Sequence, residues 1–219
     1  MAVFSTDLSQ TVEVLLERKN YNSVKDILST VNPADIAVIF RDQPAQRLLM
    51  LFRLLPKETA ADVFVEMEPV LQEQLINAFS DKELADIVNE MYADDAADLV
   101  EEMPASVVKR ILKQASPDVR RDINELLKYP EDSAGSIMTP EFADLHSSMT
   151  AAEALDHIRL TGVDKETIDI CYVIEKRRLI GLVSLRTLVL ANARAVVSDL
   201  MDENVISVGT LDDIAVVAD

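Results

Sequence analysis

Residues 93–103, ADDAADLVEEM, decide how this chain folds. Ala96, Leu99, Val100 and Met103 recur at helical spacing, whereas Asp94, Asp98 and Glu101 fall at i, i+4 and i+7 on the opposite side. The same outline occurs twice upstream, as PKETAADVFVEM at 56–67 and DKELADIVNEM at 81–91. Each copy opens on proline or an acid, carries Ala-Asp in its middle, and closes on Met. Working outward, helix-start residues recur at Pro33, Pro44, Pro56, Pro69, Asp81, Ala93, Pro104 and Pro117, a spacing of eleven to thirteen residues. A helix of about ten residues is marginal alone. Such units must stack and share a core, which is the logic of a helical solenoid. Met67, Met91 and Met103 are expected to face that core.

The pattern breaks at 129–142, YPEDSAGSIMTPEF, where two prolines and a glycine mark an elbow. Beyond it the spacing predicts a strand over Phe142 to His146, a helix over Thr150 to Leu160, strands over Ile170 to Glu175 and Leu179 to Val183, and a helix over Leu185 to Ala191. Thr150 and Glu153 have capping-box spacing. The two β-branched runs around a short charged turn predict a hairpin. A second copy starts at Met201, which aligns with Met138 and sets Val205 on Phe142 and Val208 on Leu145. The copy reaches Asp219 before its own hairpin, so the chain is expected to stop inside a domain. The reading is therefore multi-domain: an all-α stack of short helices over 1–130, an α+β unit over 131–200, and the start of a repeat of that unit over 201–219.

Composition narrows the function. With 49% hydrophobic and 27% charged residues, the chain has apolar material for real cores. No apolar run approaches the roughly 20 residues that span a bilayer, and MAVFSTDLSQ lacks a secretory pattern, so a soluble intracellular chain is expected. Cys171, the sole cysteine, lies among strand residues and is expected to be buried. Thirty-nine acids against twenty-one bases give a formal charge of -18, which repels nucleic-acid backbones. The charge is uneven: fourteen Asp or Glu lie between Glu58 and Glu102 against Lys82 alone. A second block, Glu131 to Glu175, holds ten acids against Arg159 and Lys165. An enzyme is not expected. His146 and His157 have no partner at metal spacing, and GxSxG, P-loop and GxGxxG motifs are absent.

The carboxylates of 93–103 carry the chemistry that is left. Asp94 and Asp95 could cap the helix or favour its positive end, but Asp98 sits a full turn inside. One reading is a solvated face. The other is that clustered carboxylates facing another acidic surface hold divalent cations, for which hard oxygen ligands suit Mg2+ or Ca2+ better than zinc.

The elbow YPEDSAGSIMTPEF closely resembles the junction between the helical N domain and first CBS domain of MgtE-type magnesium transporters. The resemblance extends upstream through DDAADL and downstream through CYVIEKRRLIGLVSLRTLVLA, which looks like the strand, strand and helix of a CBS motif. It implies a right-handed superhelix of short helices followed by an α+β CBS domain, at the cytoplasmic face of the membrane. It also implies a homodimer whose transmembrane pore domain is not in this sequence. In that family Mg2+ bridges acidic faces of the N and CBS domains and holds the closed state. Matched by motif, Asp94 and Asp98 would be the bridging aspartates, Asp62 the acid of the AADVF repeat, and Gly135 a backbone-carbonyl ligand. Nucleotide-binding residues are not expected: Thr187 follows Arg186 where related sequences carry Arg-Asp, and Ile170 stands where an aromatic would stack on adenine. Two rival readings are an interaction scaffold of helical repeats and an adenine-nucleotide sensor.

Overall fold

The computed structural model describes residues 2–217, and not the side chains of residues 2–7, 58, 164 and 216. The chain forms two compact units, one of Met1–Met91 with Asp95–Asn124 and one of Tyr92–Asp94 with Glu125–Asp219. No helix among the described residues is long and apolar enough to cross a membrane.

The helical region runs α1 (Ala2–Glu17), α2 (Tyr21–Leu28), α3 (Pro33–Arg41), α4 (Ala45–Phe52), α5 (Lys57–Val65), α6 (Pro69–Ala78), α7 (Asp81–Val88), α8 (Ala93–Glu102), α9 (Ala105–Gln114) and α10 (Pro117–Leu126). The expected starts hold to within a residue. Pro33, Pro69, Asp81, Ala93 and Pro117 open helices, while Pro44, Pro56 and Pro104 are N-cap residues. Proline suits these places because the first helical amides have no partner within the helix.

Stacking follows a rule the one-helix period hides. α1 packs on α3, α3 on α5, α5 on α7 and α7 on α9, while α4 packs on α6. Odd helices thus form one row, and the structural repeat is a helix pair. Phe52, Phe64 and Phe79 meet in the core with ring centroids 5.3–6.3 Å apart. Met67, Met91 and Met103 are buried as expected.

Polar side chains clip the turns together. Arg110 of α9 donates to the carbonyls of Ile76 and Phe79 at the end of α6, and to Asp81 at the start of α7. Those carbonyls lie where helix ends leave acceptors open. At the start of α7, Ser80 and Glu83 form a capping box. Arg53 donates to both Glu83 oxygens, at 2.7 and 3.3 Å. These hydrogen bonds, Arg53 foremost and then the Ser80 amide, lower the Glu83 carboxyl to about 2.

In the second unit β1 (Phe142–Leu145) leads through α11 (Ala151–Thr161) to β2 (Thr167–Glu175), β3 (Arg178–Ser184) and α12 (Leu185–Leu190), followed by α13 (Val197–Leu200) and α14 (Ile214–Val217). The sheet order is β1-β2-β3, with β1 parallel and β3 antiparallel to β2. One face buries Ala143, Leu145, Cys171, Val173 and Val183 against Ala154, Ile158 and Leu188 of the helices. The Thr150–Glu153 capping box forms at the start of α11.

The second copy is placed by a reciprocal rule. Met138 and Met201 lie 63 residues apart. Moving one partner forward and the other back by that interval turns the Thr150–Val196 bridge into Asp213–Ser133, and both bridges are present. The hydrogen bonds obey it as well. Ala151 N donates to Ala195 O at 2.8 Å and Ile214 N to Asp132 O at 2.9 Å. Val197 N donates to Met149 O at 2.8 Å and Ala134 N to Asp212 O at 2.7 Å. Ser198 N donates to Ser147 O at 3.0 Å and Gly135 N to Thr210 O at 2.8 Å. Each helix start is thus bound by the lead-in to the other copy, a local two-fold relationship. The alignment of Val205 and Val208 on β1 does not extend to structure: residues 203–209 form no strand, having no partner strand among the described residues.

The β2–β3 hairpin turns on Lys176 (φ 48°) and Arg177 (φ 64°), with Glu175 paired to Arg178. Two successive left-handed residues make a type I′ turn, which favours Asn-Gly. Lys176→Asn with Arg177→Gly is expected to raise unfolding stability by about 1 kcal/mol, measured by urea denaturation. A second expectation concerns acid. Glu83 is lowered on folding, so its contribution is full above the ordinary carboxylate range and is lost as pH falls toward about 2. Glu83→Gln should destabilise by about 1 kcal/mol at pH 7, and that gap should narrow as pH drops through 4 toward 2.

Candidate functional site

α8 presents the stripe that the sequence outlines. Ala96, Leu99, Val100 and Met103 are buried, and Asp98, Glu101 and Glu102 are exposed. Asp94 departs from expectation. Its side chain is half-buried with Oδ1 shielded from solvent, instead of facing water as Asp98 does. Asp94 belongs to the second unit and Asp98 to the first.

The helix start is capped remotely. The Ala93 amide, first in α8, donates to the Glu141 carboxylate at 3.1 Å to Oε1 and 3.4 Å to Oε2. Asp94 and Asp95, which sequence reasoning considered as caps, instead occupy the second and third helical positions, where their charge still complements the positive helix end.

Asp98 lies too far along the helix to gain from that end. Its carboxyl is raised from its ordinary value, first by partial desolvation and second by the charge of Glu102 four residues on. Both causes oppose ionisation, so at neutral pH the carboxylate is held at some cost to stability. A divalent cation is one agent that would remove that cost.

The other expected ligands fall as follows. Asp62 is exposed on α5, in the same unit as Asp98. Gly135 is buried in the same unit as Asp94, and a Cβ there would lie 2.8 Å from the Thr210 carbonyl oxygen and run into the Tyr129 ring. Close approach is therefore reason enough for glycine at 135. Among the described residues no three His, Cys, Asp or Glu side chains stand together as a metal-holding group. Sequence reasoning missed Glu141, since a cap 48 residues away leaves no local spacing signal.

Thr187, which stands where an aspartate would follow Arg186 in a nucleotide-binding pattern, is engaged in the cap of α12. Its amide donates to Ser184 Oγ at 3.0 Å and its hydroxyl pairs with the same oxygen at 2.8 Å.

A stack of short helices carrying a carboxylate stripe on α8, followed by a βαββα unit, defines a helical-repeat domain followed by a small mixed-sheet domain. Residues 31–132 match the MgtE intracellular N domain. The chain is 31% identical over 208 residues to the magnesium transporter MgtE of Thermus thermophilus, covering 93% of this chain and 46% of that protein. It is 28% identical to the magnesium transporter MgtE of Bacillus subtilis, over 94% of this chain and 46% of that protein. The chain thus spans about half the length of these relatives. Its fold resembles the cytosolic domain of the Mg2+ channel MgtE solved in complex with ATP, with a TM-score of 0.87 at 29% identity over 96% of this chain and 86% of that one. It also resembles the soluble part of a magnesium transporter, with a TM-score of 0.89 at 25% identity over 98% and 85% of the two chains. The family match thus covers the helical region, and the likeness to the solved cytosolic domain of the Mg2+ channel MgtE extends over both units.

The raised Asp98 carboxyl gives a signed expectation. A carboxyl raised on folding weakens the folded state as pH rises through its range. In chelator at pH 7, Asp98→Asn should raise the thermal midpoint, and the difference should shrink as acid protonates Asp98 in the unsubstituted chain.

Proposed function

We propose that this chain is the cytosolic Mg2+-sensing region of a magnesium transporter or channel, and that Mg2+ bridging acidic faces of the N and CBS domains favours a closed gate. The observation that carries the reading is Asp98, a carboxylate kept on an exposed helix face where desolvation and Glu102 both oppose its charge. The acidic block from Glu58 to Glu102 and the names of the relatives point the same way. At low Mg2+ the like-charged faces repel. Ions entering between them neutralise the carboxylates, so binding and closure form one linked equilibrium. Asp94 and Asp98 are the main ligands in this proposal, with Asp62 and the Gly135 carbonyl completing the shell. The full protein would be a homodimer with a transmembrane pore domain, and this region would lie on the cytoplasmic side.

A second reading, an adenine-nucleotide sensor, is favoured by the ATP in one structural relative. Ile170 and the engaged Thr187 argue against it here. Calorimetry with ATP separates the two, and binding tighter than that of Mg2+ would favour the nucleotide.

Small-angle scattering during a Mg2+ titration tests the main reading. The radius of gyration should fall across the millimolar range, and Asp94→Ala with Asp98→Ala should abolish the change while leaving the helical circular dichroism intact. A radius indifferent to Mg2+ would reject the proposal.

A further inference from the structure

α8 differs from the other capped helices in how its start is satisfied. α2, α3, α7, α11 and α12 each take a cap from the residue just before them: Asn20, Asn32, Ser80, Thr150 and Ser184. The residue before α8 is Tyr92, and the acceptor for the Ala93 amide is Glu141, 48 residues later.

Glu141 is itself held at several points. Its backbone amide donates to Thr139 Oγ1 at 3.2 Å, and the same hydroxyl donates to Glu141 Oε2 at 3.2 Å. Its carbonyl accepts from Glu166 N at 3.0 Å, which ties it to the chain entering β2. Phe142, the next residue, begins β1. The carboxylate is thus aimed by Thr139 and anchored by the sheet.

Charge makes the arrangement specific. A neutral Asn or Ser would cap a helix without adding to the repulsion from Asp94 and Asp95 at the second and third positions. A glutamate instead brings a third carboxylate to the same helix end. What it gains is reach, since its longer side chain extends from the sheet margin to the first amide.

We propose that Glu141 is a positioning residue for Asp94: by capping Ala93 from the entrance to β1 it fixes where the helix starts, and so where Asp94, in the same unit, stands. The functional half of this inference rests on the Mg2+-sensing reading, whereas the capping half does not. Glutamine keeps a carbonyl oxygen of the same reach and removes the charge, so it distinguishes positioning from ligation.

The test compares Glu141→Ala and Glu141→Gln in the full chain, by amide exchange in chelator and by Mg2+ titration of the radius of gyration. In Glu141→Ala, exchange protection at Ala93 should fall about fivefold, the loss of one cap, while Glu83 at the capped start of α7 is unchanged. The Mg2+ midpoint should rise at least about threefold, following the cap. Glu141→Gln should stay within about twofold of the unsubstituted chain in both readouts. Unchanged protection at Ala93 in the alanine variant would overturn the cap. Equal impairment of the two variants would overturn positioning and assign Glu141 to charge or ligation. If no chain responds to Mg2+, the sensing reading fails, and the exchange measurement still decides the cap.

Discussion

Like charges that cannot separate are the constraint on which this molecule turns. Asp94, Asp95 and Asp98 are spaced by the pitch of α8, and Glu102 repeats the interval at its end. The helix cannot relax the repulsion by unwinding, because Ala96, Leu99 and Val100 on its other side are buried. Apolar burial of that kind contributes roughly 1.5–3 kcal/mol per large side chain, whereas one like-charge pair four residues apart costs a few tenths. Packing therefore wins, and the carboxylates stay where the helix puts them.

The helical region owes its regularity to the same balance. Helices of eight to ten residues do not persist alone, so each leans on the second one along, and the odd row α1, α3, α5, α7, α9 follows. Much of this is legible in the sequence, because prolines and acids mark helix starts and apolar residues recur at helical spacing. The pairing of helices is not legible there. It depends on which turns are clipped, and Arg110 does so by reaching back from α9 to carbonyls at the end of α6. One arginine among several in a basic segment gives no sign of that role.

The β unit shows the same division. Alternating apolar runs mark β2 and β3, and Lys176 and Arg177 fall at their turn despite the left-handed backbone it demands. The repeat at Met138 and Met201 is visible in the sequence, but its consequence is not: each lead-in segment binds the helix start of the other copy. Gly135 illustrates the gap. The family resemblance suggests its carbonyl as a ligand, while the packing shows that Tyr129 and Thr210 leave no room for a side chain. Of the candidate site, the stripe Asp94–Asp98 was legible from periodicity alone. The half-burial of Asp94 and the remote cap from Glu141 were not, and the cap comes from a residue 48 positions away.

The central claim is that divalent cations relieve a charge penalty the fold maintains, beyond what general screening provides. It is tested most directly by thermal unfolding of this chain in MgCl2 and in NaCl matched for ionic strength. The account predicts a midpoint that climbs with Mg2+ well above the NaCl control, as linkage to a bound ion requires. Coincident midpoints in the two salts would contradict it.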